Sequence, residues 1–443
     1  MKVLKFGGTS MANADSIRQV GTIIKSDPAS RFVVVSAPGK REKADTKVTD
    51  LLYACFEKKQ KTGACDDALA VVEKRFADIV SDLKIKLDLR GEFDAIRNAI
   101  NSGASRDYAG SRGEYLSALV CAAFLGLEFI DAALIIKFSS SGKFEAELTN
   151  ETAAKRLAAS KGAVIPGFYG AMPDGSIKTF SRGGSDVTGS IIARAAGVSV
   201  YENWTDVDGF MTCDPRIVPD AALIDMLTYK ELRELSHMGA NILHSDSIFP
   251  VRKSDIPIHI RNTFNPGAKG TLIVPTKKYL AGAFFRNTRT VTGIAGRKDF
   301  IAIHMEKSMM NSEVGFARKV LSVLEEHNVS IEHMPSGIDT LSVIVDGTAV
   351  SDETLASTVS HMGTVCEPDN IEVVRDIALV AVVGHGMNRK KGTAAKVFSA
   401  LYRAGVNIRM IDQGSSELNI IVGVENKDYE TAIKALYEEL KEM

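Results

Sequence analysis

Lys5-Phe6-Gly7-Gly8-Thr9-Ser10 stands between the apolar run Val3–Phe6 and the amphipathic stretch Ala14–Ser26. Read as strand, glycine turn and helix, it puts backbone that can approach a polyanion ahead of unpaired helix N–H groups and a positive dipole end. Lys5 adds a full charge at the end of the strand. The Walker spacing G-x-x-x-x-G-K is not met, and an ordinary turn explains Gly7-Gly8 equally well.

Outward from this stretch, strand-like runs alternate with helical patterns. The strands are Phe32–Ser36, Ala163–Pro166, Val198–Glu202, Ile256–Ile260 and Leu272–Pro275, and the helices include Asp66–Leu83 and Arg106–Leu125. That alternation predicts an α/β domain over 1–275 with a mostly parallel sheet. Residues 276–290 read as a polar linker without periodicity. Beyond it the chain repeats itself at an offset of 77. Gly315, Lys319, Val320, Ser322 and Leu324 match Gly392, Lys396, Val397, Ser399 and Leu401. In the same register Val329, Ile331, Leu341 and Val345 match Val406, Ile408, Leu418 and Val422. Two copies are too few for a solenoid. Two ferredoxin-like α+β units, 291–375 and 376–443, fit better, each taking its last strand from the next segment or the chain end.

Composition narrows the function classes. The 443 residues carry 54 basic and 55 acidic groups and are 45% hydrophobic, the balance of a globular protein. No basic stripe points to nucleic acid, no apolar run reaches membrane-spanning length, and no signal peptide is visible. Cys55, Cys65, Cys121, Cys213 and Cys366 are dispersed, as in a reducing, cytoplasmic setting. The eight histidines form no ligand-like cluster; His333 and His361 read as surface or strand-end residues, and Met309-Met310 as apolar filling. No metal site is expected from protein ligands. Gly384-His385-Gly386 fails the dinucleotide fingerprint at Arg389.

Three further motifs suit phosphoryl chemistry. Ser181-Arg182-Gly183-Gly184-Ser185-Asp186 precedes a helix of small residues. Arg182 can fork a carboxylate and Asp186 can accept from an ammonium, although Ser185 or Asp186 also reads as a plain N-cap. Trp204-Thr205-Asp206-Val207-Asp208-Gly209 with Asp214-Pro215-Arg216 can meet a nucleotide's sugar and phosphates, or be turn punctuation. Ser111-Arg112-Gly113-Glu114 puts an acid early in a helix, where dipole stabilisation is reason enough for it.

Taken together and in order, KFGGTS, SRGE, SRGGSD and WTDVDGFMTCDPR resemble the aspartate kinases of the amino-acid kinase fold, and the paired units resemble that family's tandem ACT domains. The resemblance spans essentially the whole chain. It implies a three-layer kinase domain, ATP-dependent phosphorylation of the side-chain carboxylate of L-aspartate, and a place at the first step towards lysine, threonine and methionine. ATP is implied as substrate, with Mg²⁺ held mainly by its phosphates and water. Lys5 and Asp186 become the catalytic pair. Lys5, Gly7, Gly8, Ser10, Ser36, Thr205, Asp206, Arg216 and Asn241 become the ATP positions. Thr49, Glu114, Phe168, Arg182, Ser185 and Asp186 become the aspartate positions. In the ACT units the implied effector positions are Glu313, Gly315, Phe316, Ser330, Ile331, Glu332 and Ser336, the last four on a strand. Lysine is the first expected effector and threonine the second, with assembly as a homodimer or higher through these units. Asn241 and Ser245 depart from the lysine and proline of many relatives, and Met211 from a tyrosine near the adenine. Another amino-acid kinase of the same fold, or a non-catalytic amino-acid sensor, is the alternative.

Overall fold

The computed structural model describes the chain except Arg182, Asn241, Ile242, His244 and residues 285–288, together with the side chains of Ser245 and Asp246. The chain forms two compact units. The first comprises 1–210, 223–232 and 241–286; the second comprises 211–222, 233–240 and 287–443.

In the first unit β1 (Lys2–Phe6), α1 (Ala14–Ser26) and β2 (Ser30–Val35) are followed by four helices, α2 (Val48–Thr62), α3 (Asp66–Leu83), α4 (Arg90–Asn101) and α5 (Arg106–Leu125). β3 (Glu128–Phe129), α6 (Ala132–Ile135), α7 (Ala146–Ala158) and β4 (Ala163–Pro166) lead to a hairpin, β5 (Tyr169–Ala171) with β6 (Ile177–Thr179). α8 (Gly184–Ala196), β7 (Val200–Thr205), β8 (Met226–Thr228), α9 (Tyr229–His237), which from Arg233 belongs to the second unit, α10 (Phe249–Lys253), β9 (Ile258–Asn262), β10 (Thr271–Val274) and α11 (Thr276–Leu280) complete the series. α11 falls where the sequence suggests an unstructured linker.

Among the described residues the strands form an eight-stranded sheet ordered β3-β4-β2-β1-β7-β9-β10-β8, parallel except between β9 and β10. A parallel strand covered on both faces reads as an unbroken apolar run, and Val33, Val34 and Val35 are all fully buried. α1 starts where Asn13 accepts from the Ser16 amide, and α5 where Ser105 accepts from Tyr108. The apolar sides of α1, α3 and α4, with Ile17, Val20, Val72, Phe76, Phe93 and Ile96, share one core with Leu4, Phe6 and Val33 of the sheet. Among the described residues no helix is long and apolar enough to cross a membrane.

The second unit holds β11 (Gly293–Glu306), α12 (Phe316–Glu326), β12 (Thr340–Asp346), α13 (Asp352–Cys366) and β13 (Asn370–Val383), then α14 (Thr393–Arg403), β14 (Met410–Asp412), β15 (Asn419–Glu425) and α15 (Tyr429–Leu440). They make one antiparallel sheet ordered β12-β11-β13-β15-β14. β11 and β13 each serve both repeats. Phe300–Glu306 pairs with β12 and with Asn370–Ile377, whereas Gly293–Arg297 pairs with Leu379–Val383. Between the halves the register slips, and Asp299 and Asp376 take left-handed backbone, φ 69° and 60°. Asn426 braces the first bend, bonding both the amide and the carboxylate of Asp299. Each repeat keeps its own core, Ile303, Val320, Leu324 and Val343 in one, Val380, Val397, Leu401 and Val422 in the other.

This differs from expectation in one respect. The second repeat takes its last strand from the first half of β11, ahead of the first repeat.

Candidate active site

β1 delivers Lys5 to the middle of the sheet, where it lies beside Val34 of β2 and Asn203 of β7. Its ammonium is buried and stands 2.6 Å from Asp186 Oδ1, in the first turn of α8. Asn203 Nδ2 donates to the same oxygen at 2.8 Å. One carboxylate is thus held by a cation and an amide, and a lysine that sequence separates from it by most of a domain is fixed at the mouth of the glycine turn. Arg182, the neighbour expected to fork a carboxylate, lies outside the described residues, as does Asn241.

The glycine turn is shaped by a second loop, Ser36–Gly39, which follows β2. Gly39 N–H donates to Gly8 O at 2.7 Å, and a Cβ on Gly39 would come within 2.6 Å of the Gly8 carbonyl carbon. Only glycine permits the two backbones to touch this way. Ser36 N–H donates to Phe6 O, and Val48 N–H at the start of α2 donates to Pro38 O, which sets Thr49, half-buried, beside the same loop. Arg75, buried on α3, ties the arrangement together. Its guanidinium donates to the carbonyls of Ala12, Gly39 and Thr46 and meets Asp45 at 2.7 Å. Arg41, first, and Arg75 hold the Asp45 carboxyl well below the usual range.

Glu114 approaches this loop from α5. It sits in the third turn of a helix that begins at Arg106, so the N-terminal dipole does not explain it. The side chain is buried, and burial pushes its carboxyl up to about 8 against hydrogen bonds from the Ala37 backbone and its own backbone. Oε2 has no partner. Arg112 gives little relief, because its guanidinium lies among the rings of Tyr108, Tyr115 and Tyr169 at 4.6, 4.6 and 5.2 Å. An acid buried at this cost, with one oxygen bare, is the signature of a site awaiting a cation or donor.

The start of α8 faces the turn after β4. Phe168 is left-handed, φ 80°, and is kept so by its N–H bond to Thr188 Oγ1 and by Phe180 N–H donating to its carbonyl. A Cβ on Gly167 would lie 2.6 Å from Cβ of buried Ser185. Phe168, Ser185 and Asp186 therefore come together as one wall.

On the other side of β1, Thr9 Oγ1 donates to Asp206 Oδ2 at 3.0 Å, and Thr205 Oγ1 reaches Asp206 Oδ1 at 3.3 Å. Gly7 N–H donates to Trp204 O. Ser10 is fully buried and shares a 2.7 Å hydrogen bond with Thr263, so its hydroxyl is engaged inside the fold. Arg216, in the second unit, is exposed, with Asp214 accepting from both Nε and its terminal nitrogen. Met211 likewise packs on a core of the second unit.

The profile of the amino acid kinase family matches residues 1–262, and that of an ACT domain matches 380–440. Aspartokinase 3 of Bacillus subtilis is 37% identical over 453 aligned residues, covering 99% of this chain and 98% of that protein. The chain belongs to the aspartokinases of the amino acid kinase family. The crystal structure of the Clostridium acetobutylicum aspartate kinase superposes with a TM-score of 0.93 at 47% identity, over 99% of this chain and all of that one. Escherichia coli aspartokinase III, crystallised with aspartate and ADP, gives 0.77 at 27% identity over the full length of both chains. Its complex with lysine and aspartate gives 0.74 at 27% identity over 99% of each.

Within this aspartokinase the effector positions are distributed unevenly. Glu313 lies 2.6 Å from both Lys307 and Lys319. Gly315 is left-handed at the head of α12, Phe316 is buried, and Val314 is wholly exposed. Ser330, Ile331 and Glu332 do not form the expected strand. The first repeat makes only isolated bridges, His333 to Ile344 and Ser336 to Leu341, where the second has β14. Of the two expected settings, surface or strand end, His333 takes the second: it is mostly buried, bridges to Ile344 and has its Nδ1 on Asp412. Met310 fills the core as expected, whereas Met309 is exposed.

Sequence reading missed Arg75, Asn203 and Thr263. Arg75 falls on the apolar stripe of α3 and Asn203 within a buried strand, and a polar residue in such a place is the available signal. Thr263 carries none.

Proposed function

We propose that this aspartokinase transfers the γ-phosphoryl group of ATP to the side-chain carboxylate of L-aspartate. The observation that carries the proposal is the buried Lys5 ammonium beside Asp186, at the joint between the glycine turn and α8. A carboxylate nucleophile is already ionised at neutral pH, with a reference value of about 3.9, so no base is required. One carboxylate oxygen attacks the γ-phosphorus, the bond to the β-bridging oxygen breaks, and ADP leaves carrying that oxygen's charge. What the protein supplies is alignment and positive potential.

Gly7, Gly8 and the amides at the start of α8 accommodate the phosphates, with Lys5 on the transferring group. Ser36, Thr205 and Asp206 flank the nucleotide, and Ser10 supports the turn from beneath through Thr263. Asp186 orients Lys5. Glu114 takes the substrate ammonium on its bare oxygen, a role first assigned to Asp186, which is already engaged by Lys5 and Asn203. Thr49, Phe168 and Ser185 complete the aspartate pocket, with Arg182 for the α-carboxylate. Asp206 and Asp186 each hold donors already, so Mg²⁺ fits best on the nucleotide's phosphates and water, where it screens their charge.

The ACT repeats fit an amino-acid effector, lysine first because its cationic side chain suits Glu332, and threonine second. A lysine complex exists for the Escherichia coli relative. Feedback inhibition, service to the lysine, threonine and methionine routes, and pairing of two copies through exposed Val314, Ile331 and Ile338 belong to the same reading. A coupled ADP-release assay with aspartate, glutamate and N-acetylglutamate, repeated with lysine and threonine, tests it. Turnover confined to aspartate and depressed by lysine supports the reading, and equal turnover of glutamate removes it.

A further inference from the structure

The segment from Ser330 to Ser336 carries histidine–carboxylate pairs on two consecutive residues. Glu332 Oε2 lies 2.7 Å from Nε2 of His237, the last residue of α9. His333 Nδ1 lies 2.8 Å from Asp412 Oδ2 on β14. All four residues belong to the second unit. Glu313 and Glu332 are the two acids of the effector positions, and they differ in their partners. Glu313 is neutralised by two lysines, each at 2.6 Å. Glu332 is neutralised by one half-exposed histidine, whose charge is optional.

We propose that His237 is a built-in competitor for the effector's cationic side chain: it occupies Glu332 in the ligand-free protein and must withdraw, giving up its proton, when the effector binds. The inference rests on the effector reading given above and adds to it a residue, a direction and a proton.

The surroundings make the competition one-for-one. The charged groups facing the pair are Glu234 on α9, Arg297 on β11 and Asp346 on β12. Arg297 and Asp346 neutralise each other in a direct ion pair, and Glu234 accepts from Asn419 Nδ2 at 2.6 Å. Glu332 is therefore left with His237 as its nearest cation. A Cβ on Gly239, just past the helix end, would sit 3.0 Å from the Arg297 side chain, so the end of α9 lies close against β11. An alkylammonium arriving at Oε2 of Glu332 has to replace the imidazolium there, since that oxygen is already engaged at 2.7 Å and two cations side by side on it repel.

The hydrogen bond to Glu332 raises the histidine above its ordinary 6.5 and the bond to His237 lowers the acid. The contact is then at full strength below 6.5 and fades as pH climbs through the raised histidine value. Effector affinity runs the opposite way. It tightens as pH rises, with a limiting slope of about tenfold per pH unit for a single displaced proton. The ligand's own side-chain ammonium, reference value about 10.4, keeps its charge throughout.

The test is calorimetric titration of the full-length protein with L-lysine at pH 6, 7 and 8, each in two buffers of different ionisation heat. Wild type should release more protons per lysine at pH 6 than at pH 8, with the Kd falling in step. His237→Gln, which keeps a donor and removes the titration, should bind without proton release and hold at pH 6 the affinity wild type reaches at pH 8. Glu332→Gln should lose lysine. In the ligand-free protein the His237 ring should titrate above 6.5 by NMR and drop back in Glu332→Gln, which reports the pair independently of any ligand. Lysine binding without proton release, at the same Kd in wild type and His237→Gln, overturns the inference and leaves the effector reading standing. Absence of lysine binding at every pH overturns both.

Discussion

Glu114→Gln keeps the outline of a buried side chain and takes away its ability to ionise. Burial lifts the wild-type carboxyl from 4.5 to about 8, and at about 1.36 kcal/mol per unit that is up to about 5 kcal/mol for ionising it inside the fold. The folded value lies above the unfolded one, so this contribution is complete below 4.5 and is lost as pH rises to about 8. Wild type and variant should then melt together near pH 5 and apart near pH 9. With about 2–4 °C per kcal/mol for a unit of this size, the variant gains on the order of 10 °C at the higher pH. Aspartate closes the gap from the wild-type side, because its ammonium supplies the missing partner of Oε2. The variant, unable to offer a charge, should need about 10–100 times more aspartate in steady-state assays, the value of a charged hydrogen bond. Thermal melts at the two pH values, with and without saturating aspartate, are the measurement. Coincident melting at both pH values, with aspartate shifting the two proteins equally, would refute the assignment of Glu114 and the reasoning from burial together.

Three other outcomes follow from the same geometry. Lys5→Met should lower kcat by about 10²–10³, the cost of one preorganised charge, with aspartate KM changed far less; turnover within threefold of wild type removes Lys5 from the reaction. Gly167→Ala pushes a methyl to 2.6 Å from Ser185, an overpacking of about 1–3 kcal/mol. It should appear as a raised aspartate KM beside an unchanged ATP KM, and the reverse pattern would relocate the aspartate wall. Arg75→Met leaves three carbonyls without their donor while Asp45 keeps Arg41, so urea denaturation should show a loss of about 1–3 kcal/mol; full stability would mean that the loops hold themselves.

What could be read ahead of the structure follows a physical rule. The glycine turn, the α8 start and the Thr205-Asp206 pair are local devices, whose strand, turn and helix lie within a few residues, and each was recognisable as a short string. Their convergence depended on the resemblance, because no pattern in KFGGTS says that Lys5 reaches Asp186. Arg75 was invisible for a related reason: its partners are carbonyls, which every residue possesses. Glu114 was visible as a residue and misjudged as an environment, since the helix pattern from Arg106 to Leu125 already placed it well past the first turn. The repeat register was legible from nine identities, but the exchange of a strand was not. Val291–Ala295 reads as strand whichever repeat it joins, and only the hydrogen bonds of Leu379–Val383 decide. At His333–Pro335, the counterpart of β14 in the first repeat, only a single bridge from His333 to Ile344 forms, and the His333 ring is tied to Asp412 of β14.

The strand exchange has a practical corollary. Because Gly293–Arg297 completes the later repeat before the earlier one begins, the earlier repeat is an inset rather than a predecessor. Its natural seams are the two left-handed aspartates, Asp299 and Asp376, which lie where the register slips between the adjoining strands β11 and β13. Swapping regulatory specificity between relatives should therefore succeed by exchanging the cassette between those seams. Severing the chain at the head of the first repeat would instead strip a strand from the second, leaving a bare edge ready to recruit a stranger.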